Sequence, residues 1–338
     1  MTLKTRFGLL FDFRNPAQWL KPWPQFYADM IDFAAWTETL GFSDVWLTEH
    51  HGAEDGYSPS PLMIASAIAT RTKRVHIGTA IALAPFYHPV RLAEDLATLD
   101  LISNGRIEFG FGLGYRPEEF AAYGLSMKTR GSRASEVLDI VRRLWDGETV
   151  TVDSKHFKLD GAQIMPRPAQ AHPPLWVGGF SPEAMKRVAR YGDGFMWGPG
   201  GPDLAAAHRL YVDALAVEGK PADAARMLQI WMWLMVSEDP ERTFAEVAPH
   251  VLHQINTYAK WLSGTGHQSF VPADVATLKA SGQLMIMTPD EAIKFFKSQM
   301  ALAPLEGFAG MTPPAGFPLD KLAPYIELFA NKVLPAFK

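Results

Sequence analysis

Cysteine is absent from all 338 residues of this chain, and its absence excludes three kinds of chemistry. Disulfide bonds, metal sites built on thiolates and cysteine nucleophiles all need a sulfhydryl group. The absence does not by itself decide the cellular compartment. Any metal site or nucleophile in this protein must use other side chains.

Long hydrophobic runs are also missing from the sequence. No apolar segment approaches the roughly 20 residues that a membrane helix needs. The brief apolar run near the N-terminus is interrupted by Asp12 and Arg14 and lacks the small-residue cleavage site of a signal peptide. We therefore expect a cytoplasmic protein that does not act at a membrane.

An excess of charge of one sign is missing as well. The chain has 32 Lys and Arg against 36 Asp and Glu, a net charge of −4, and the charges are spread along its length. Such a chain has no basic stripe for a nucleic acid and no polybasic arm for lipid. Small molecules are therefore the expected partners.

What the sequence does contain is a repeated strand and helix pattern. The predicted strands are Phe7–Phe13, Asp44–Thr48, Val75–Leu83, Ile107–Leu113, Leu175–Phe180, Gly194–Trp197, Leu228–Val236 and Gly307–Thr312. A helical pattern follows each of them, and the strands are apolar on both faces, which is typical of a parallel sheet covered by helices. The pattern predicts one α/β domain over residues 1–338, a (β/α)8 TIM barrel with insertions.

One other fold is considered, and two segments do not fit the simple barrel repeat. A doubly wound sheet is the second choice, but no G-x-G-x-x-G follows the first strand. Residues 149–167 are predicted to form a hairpin-like excursion, which could equally be decoration. Residues 264–287 are predicted to form a lid-like insertion before the last strand and include a strand-like run at Leu284–Met287. Long excursions on a barrel often form lids or walls of an active site.

The second predicted strand runs directly into a carboxylate and two imidazoles at Glu49, His50 and His51. Because side chains alternate along a strand, the two histidines should point apart, which disfavours a metal site. His50 is either a general base or hydrogen-bond donor, or a buried histidine bonded to a backbone carbonyl. We expect Glu49 to be a structural acceptor that fixes a neighbouring strand or an imidazole tautomer.

Two glycine-rich turns could approach a ligand closely. The turn after the fourth strand contains Gly112 and Gly114, although such turns are also ordinary barrel architecture. The turn from Gly178 is more specific, because Ser181 suits a helix N-cap and the following helix start can hold a phosphate. Arg133 could supply a guanidinium to that phosphate. Aromatic residues at the strand ends suit a planar cofactor and an apolar substrate.

Five segments in order resemble the bacterial luciferase-like, flavin-dependent monooxygenases, and the resemblance covers nearly the whole chain. These segments are Trp46–His51, Ile77–Ala80, His88–Glu94, Leu99–Arg106 and Leu328–Pro335. The resemblance implies a (β/α)8 barrel that uses reduced FMN, usually delivered by a separate flavin reductase, or the deazaflavin F420. It also implies a homodimer formed through the helices that follow the early strands.

The resemblance further implies roles for individual residues. The catalytic histidine would be His50, and a non-proline cis peptide would join Ala80 and Ile81 under the flavin ring. The other expected cofactor contacts are Gly112, Gly114, Arg133, Gly179, Phe180, Ser181 and Trp197. The expected substrate contacts are Trp46, Tyr57, Tyr115 and Arg116.

The chain departs from the luciferase catalytic subunit at three of these places. Gly112 stands in place of a reactive cysteine, Leu113 in place of a phosphate-binding arginine and Phe180 in place of an acidic residue. Arg116 is the candidate to replace the missing guanidinium. Light emission from a long-chain aldehyde is therefore not expected.

The function expected from these observations is that of a two-component monooxygenase. Reduced FMN and O2 would oxygenate an apolar small molecule through a C4a-peroxyflavin. The alternatives are F420-dependent hydride transfer on the same barrel and a flavin-binding subunit without catalytic activity.

Overall fold

Eight parallel strands close into a barrel in the computed structural model, which describes residues 5–198, 201, 203–263 and 270–338. The barrel strands are β1 (Arg6–Phe11), β2 (Asp44–Leu47), β3 (His76–Leu83), β4 (Ile107–Gly112), β7 (Leu175–Gly178), β8 (Gly194–Trp197), β9 (Met227–Trp231) and β12 (Leu305–Gly310), hydrogen-bonded in that order, with β12 closing on β1. The predicted (β/α)8 barrel is confirmed.

Helices connect and cover the strands, as the repeat predicts. They are α1 (Trp23–Thr39), α2 (Pro61–Arg71), α3 (Pro89–Ser103), α4 (Pro117–Ala122), α5 (Arg130–Trp145), α6 (Pro182–Tyr191), α7 (Leu204–Val217), α8 (Pro240–Leu262), α9 (Val275–Ser281), α10 (Pro289–Leu302) and α11 (Leu319–Lys332). Seven of them have proline in the first turn, where its missing N–H leaves no helical hydrogen bond unmade. Three helices were not predicted: α4 and α9, which have 6 and 7 residues, and α10, which lies between β11 and the last barrel strand.

The barrel has an apolar interior that is separate from the layer between strands and helices. Leu10, Trp46, Trp176, Met196 and Leu228 belong to this interior cluster. The two tryptophan rings fit because neighbouring strands carry glycine, and a Cβ at Gly78 or Gly194 would overlap a ring. A barrel filled in this way is a solid core, not a channel.

The N-terminal end of the barrel is closed by charged side chains. Arg6 pairs with Asp44 and with Glu108, the latter at 3.0 Å, and His76 lies 2.9 Å from Glu108. The Trp176 indole N–H also donates to Glu108 at 2.9 Å. These groups bond to one another at the strand starts, so a ligand site is expected at the opposite end.

The predicted strand Leu228–Val236 is wrong as a single strand. It divides into β9, which belongs to the barrel, and β10 (Leu234–Val236), which pairs in parallel with β11 (Met285–Met287) in a separate sheet. Both halves are almost entirely buried, so the apolar run continues across the break and gives no sign of it. The strand-like run at Leu284–Met287 is confirmed as β11.

The two predicted insertions have different outcomes. Residues 149–167 contain an antiparallel hairpin, β5 (Val150–Asp153) with β6 (Lys158–Ala162), as predicted. Within 264–287, residues 264–269 lie outside the described residues, and the remainder holds α9 and β11 beside α8. The lid role of this insertion stays a prediction. No helix in the described part of the chain is both long and apolar enough to cross a membrane.

Candidate active site

His50 lies just beyond the end of β2 and contacts two residues that follow β4. Its Nδ1 is 2.8 Å from Glu119 Oε1, and its Nε2 is 3.0 Å from the Tyr115 hydroxyl oxygen. The side chain is almost entirely enclosed, with the residue 6% exposed. Because strands β2 and β4 end at the same rim of the barrel, groups far apart in sequence form one chain, Glu119–His50–Tyr115.

The environment of His50 fixes its protonation state. Burial lowers the pKa of His50 below its ordinary value, and the hydrogen bond that His50 donates to Glu119 opposes that change only in part. The imidazole is therefore neutral at pH 7. With Glu119 ionised, Nδ1 must carry the ring proton, which leaves a lone pair on Nε2 for the Tyr115 hydroxyl. Burial raises the pKa of Tyr115 well above its ordinary value, so this hydroxyl stays protonated.

Glu119, in the first turns of α4, organises the backbone around His50. Its Oε1 accepts hydrogen bonds from His50 Nδ1, from the His51 amide at 2.9 Å and from Arg116 at 3.2 Å. Burial acts to raise the pKa of Glu119, but these three donors outweigh it and lower the pKa. Arg116 also donates to the His51 carbonyl at 2.8 Å. Arg116 is thus placed beside His50 by its contacts.

Aromatic rings surround His50. The ring centroids of Tyr57, Trp261, Tyr115 and Tyr258 lie 4.7, 5.0, 5.3 and 6.3 Å from the imidazole. Tyr57 and Tyr115 are expected site residues that the structure brings together, and their hydroxyls bond to Tyr258 and His50 respectively. Tyr258 and Trp261, on α8, were missed, because nothing in the sequence of a long helix indicates which turn reaches the barrel mouth.

The second histidine points away from His50, as predicted. His51 Nε2 is 3.0 Å from Glu49 Oε1, and its Nδ1 is 3.0 Å from the Tyr123 hydroxyl. Glu49 also accepts hydrogen bonds from the Leu83 amide at 2.6 Å and from Tyr87 at 2.9 Å. The expectation that Glu49 is a structural acceptor is confirmed, because it joins the end of β2 to the end of β3 and holds the His51 ring.

A second polar group beside the rings comes from the end of β1 and was not predicted. Arg14 donates from Nε to Asp55 at 2.7 Å, and His253 lies 2.9 Å from the same carboxylate oxygen. Asp12 accepts a hydrogen bond from Gln254 at 2.6 Å. Burial raises the pKa of Asp12 to about 6, although Arg14 nearby lowers it.

The peptide bond between Ala80 and Ile81 is cis, as the family resemblance predicts. Both residues are half-buried at the C-terminal part of β3. The Ile81 side chain lies across two glycines: a Cβ at Gly112 would come within 2.9 Å of it, and a Cβ at Gly178 would overlap it. The absence of side chains at Gly112 and Gly178 therefore leaves room for Ile81 at the C-terminal ends of the strands, where close approach to a flat ring is possible.

The turn before α6 has features that suit a phosphate. Gly179 has φ +129°, Ser181 caps the helix by accepting from the Ala184 amide at 3.1 Å, and two arginines lie on the adjoining helices. Arg187 donates to Ser135 at 3.1 Å and to the Gly131 carbonyl at 3.3 Å, and forms no ion pair with any described residue. Burial lowers its pKa.

Arg133 lies on α5, one turn from these acceptors. It donates to the Pro85 carbonyl at 2.7 Å and stacks 4.4 Å from the Phe157 ring of the hairpin. An arginine held by a carbonyl and a ring keeps its charge available to an anion. Guanidinium and backbone amide donors suit the phosphate of a flavin or deazaflavin, and phosphate binding by Arg133, Gly179, Phe180 and Ser181 stays a prediction.

The other expected site residues have diverse surroundings. Gly114 has φ +76°, Phe180 is half-buried with its ring 6.1 Å from Phe195, and Trp197 lies 5.6 Å from Trp231. Trp46 is 1% exposed in the barrel interior, so its role as a substrate contact stays a prediction. Among the residues that the structure describes, no group of three His, Asp or Glu side chains could hold a metal ion.

The fold and this site define a (β/α)8-barrel protein whose polar groups converge at the C-terminal ends of the strands. The family described as luciferase-like monooxygenase matches residues 5–312. The chain therefore belongs to the luciferase-like monooxygenases.

The names of the relatives include a monooxygenase with no stated cofactor, a flavin-dependent enzyme and an F420-dependent enzyme. The solved structure of monooxygenase RslO1 from Streptomyces bottropensis is 28% identical, covers 98% of this chain and 100% of its own, and has a TM-score of 0.83. The oxygenase component of flavin-dependent trigonelline monooxygenase from Acinetobacter baylyi is 29% identical over 50% of this chain and 47% of its own length. The F420-dependent glucose-6-phosphate dehydrogenase of Microbacterium testaceum is 30% identical over 72% of each chain.

Proposed function

We propose that this protein is the oxygenase component of a two-component, FMN-dependent monooxygenase that oxygenates an apolar small molecule. The observation that carries the proposal is the buried chain Glu119–His50–Tyr115 within a ring of aromatic side chains. A neutral imidazole held by a carboxylate is a general base, and the enclosure keeps water from the reacting groups. O2 would be the second substrate and a flavin reductase the partner.

The residues that would hold the cofactor lie along the rim from β3 to β8. Ala80 and Ile81 would lie under the ring, with Gly112, Gly114 and Trp197 around it. Arg133, Gly179, Phe180 and Ser181 would hold the phosphate. Bound reduced FMN would supply the electrons for the activation of O2.

The protein's own residues would handle the protons. The lone pair on His50 Nε2 would accept a proton from a substrate hydroxyl that takes the position of the Tyr115 hydroxyl. Glu119 would stabilise the imidazolium that results, because its carboxylate is already bonded to Nδ1. Tyr57 and Trp261 would form apolar walls.

The second candidate function is F420-dependent hydride transfer, which the similarity to the Microbacterium testaceum dehydrogenase favours. Anaerobic titration of the flavin-free protein with FMNH2 and with reduced F420, followed by ultrafiltration, separates the two. We expect retention of FMNH2 and little retention of F420. Tight retention of F420 without FMNH2 would overturn the proposal in favour of the dehydrogenase.

The third alternative is a flavin-binding subunit without catalytic activity. His50→Ala should keep the fold and FMN binding in either case. If the protein is an oxygenase, this variant should change the reaction of the bound reduced cofactor with O2, whereas in a non-catalytic subunit His50→Ala and the wild type should behave alike.

A further inference from the structure

Arg14 is a buried arginine whose hydrogen-bonding groups are mostly unused. The residue is 2% exposed, and its Nε donates to the Asp55 carboxylate at 2.7 Å. Its two terminal nitrogens have no hydrogen-bond partner among the described residues. Buried donors of this kind are rare in folded proteins, because unmade hydrogen bonds are destabilising.

The guanidinium lies among the same aromatic rings that surround His50. Its central carbon is 5.0 Å from the Tyr57 ring, 5.7 Å from Trp261 and 5.8 Å from Tyr258. Aromatic rings stack on the face of a guanidinium, but they do not accept hydrogen bonds from its in-plane N–H groups. Tyr57 and Trp261 also contact His50, so Arg14 and His50 lie beside one shared aromatic wall.

The charge of Arg14 is already balanced. Asp55 accepts a hydrogen bond from Arg14 Nε, and the negative charge of Asp12 attracts the same guanidinium. A further anion bound to Arg14 would therefore be repelled by two carboxylates. The partner that Arg14 lacks is a neutral hydrogen-bond acceptor, not a counter-ion.

We propose that Arg14 binds the oxygen of a neutral carbonyl group on the substrate, as in a ketone, quinone or amide, while the apolar body of the substrate lies against Tyr57 and Trp261. The inference rests on the proposed function in so far as it makes this the substrate site of the enzyme. The expected substrate is then an apolar molecule that also has one hydrogen-bond acceptor oxygen.

Arg106 shows what a purely structural buried arginine looks like in this chain. It is 8% exposed, and its terminal nitrogens donate to Thr72, to the Val75 carbonyl and to the Ala69 carbonyl at 2.8–2.9 Å. Its guanidinium nitrogens are all used within the protein. Arg14 differs in this respect, and Arg106 is therefore the matched control.

The test uses a ketone and a hydrocarbon of the same shape. Cyclohexanone and methylenecyclohexane differ only in C=O against C=CH2, and cyclohexanecarboxylate adds a charge. Each is titrated by calorimetry into the flavin-free wild type, Arg14→Met and Arg106→Met. We expect the ratio of ketone to hydrocarbon affinity to fall roughly tenfold or more in Arg14→Met, as loss of a hydrogen bond to a charged group predicts. Arg106→Met should keep the wild-type ratio.

The contradicting results are equally definite. An unchanged ratio in Arg14→Met, no saturable binding of cyclohexanone to the wild type up to about 10 mM, or tightest binding of the carboxylate would each overturn the proposal. Loss of folding in both Arg14→Met and Arg14→Lys would assign Arg14 a structural role and also overturn it. The titrations need neither flavin nor O2. They can therefore contradict the role of Arg14 without contradicting the FMN-dependent function, and a failure of the FMN-dependent function would leave the titrations interpretable.

Discussion

At the scale of single residues, position along the chain predicted His50 but not its carboxylate partner Glu119. A histidine directly after a barrel strand lies at the rim where barrel enzymes have their sites, which needs only the strand pattern. Glu119 is 69 residues away and becomes a partner only when α4 folds back over β2. Its one sequence signal is an acidic first turn directly after the glycine-rich turn of β4.

The first prediction concerns the influence of Glu119 on His50. Glu119→Gln should lower the pKa of His50 further, because the hydrogen bond that the Glu119 carboxylate accepts from His50 is the main effect that raises this pKa against burial. The measurement is an NMR titration of the histidine rings, with His50→Gln to assign the signal. Glu49→Gln is the control, since Glu49 is bonded to His51 and not to His50. A His50 pKa that rises or stays unchanged in Glu119→Gln would contradict the described network.

At the scale of secondary-structure elements, apolar runs predicted the strands well and the breaks between them poorly. The division between β9 and β10 could not be predicted, because both parts are buried and differ only in which strand they pair with. From the sequence, the glycines at the ends of β4 and β7 were expected to form turns that let the backbone approach a ligand closely. The structure adds a reason that needs three-dimensional contacts: they leave room for Ile81.

The second prediction follows from this contact. Gly178→Ala should destabilise the flavin-free protein by roughly 1–3 kcal/mol, because the new methyl group would overlap the Ile81 side chain. Gly198→Ala is the control: its Cβ would lie 3.8 Å from Ile230, an ordinary contact distance. Urea unfolding measures both variants. Equal stability of the two would show that Ile81 does not need the glycine.

At the scale of the whole molecule, the two ends of the barrel carry different kinds of side-chain network. The charged groups Arg6, Asp44 and Glu108 pair with one another at the N-terminal end, whereas the hydrogen-bonded chain Glu119–His50–Tyr115 and the aromatic rings around it lie at the C-terminal end. The general location of the site was therefore predictable from the fold. Its aromatic wall was not, because α8 contributes Tyr258 and Trp261 across roughly 200 residues of sequence.

The third prediction separates stability from function. Burial acts to raise the pKa of Glu108, but His76 and Arg6 outweigh it and lower the pKa from 4.5 to about 2. Glu108 therefore stabilises the fold fully above pH 4.5, and this contribution is lost as the pH falls toward 2. Glu108→Gln should reduce the free energy of unfolding by roughly 2 kcal/mol at neutral pH and leave FMN retention unchanged.

Glu306→Gln is the matched control for this prediction. Glu306 pairs with Arg226 at the start of the neighbouring strand, and its side chain is 31% exposed. Its loss should change stability by less than about 1 kcal/mol. A difference between Glu108→Gln and the wild type that does not shrink toward acid pH would contradict the assigned pKa.

Under the proposed function, the chain Glu119–His50–Tyr115 acts on the reaction of reduced FMN with O2. The most direct test mixes the anaerobic protein–FMNH2 complex with oxygenated buffer in a stopped-flow spectrometer, for the wild type, His50→Gln and Tyr115→Phe. We predict a transient spectrum in the wild type that neither oxidised nor reduced free FMN shows, with a lifetime altered in both variants. Reoxidation of FMNH2 in the wild type that is indistinguishable from that of free flavin would contradict a role of this protein as an oxygenase.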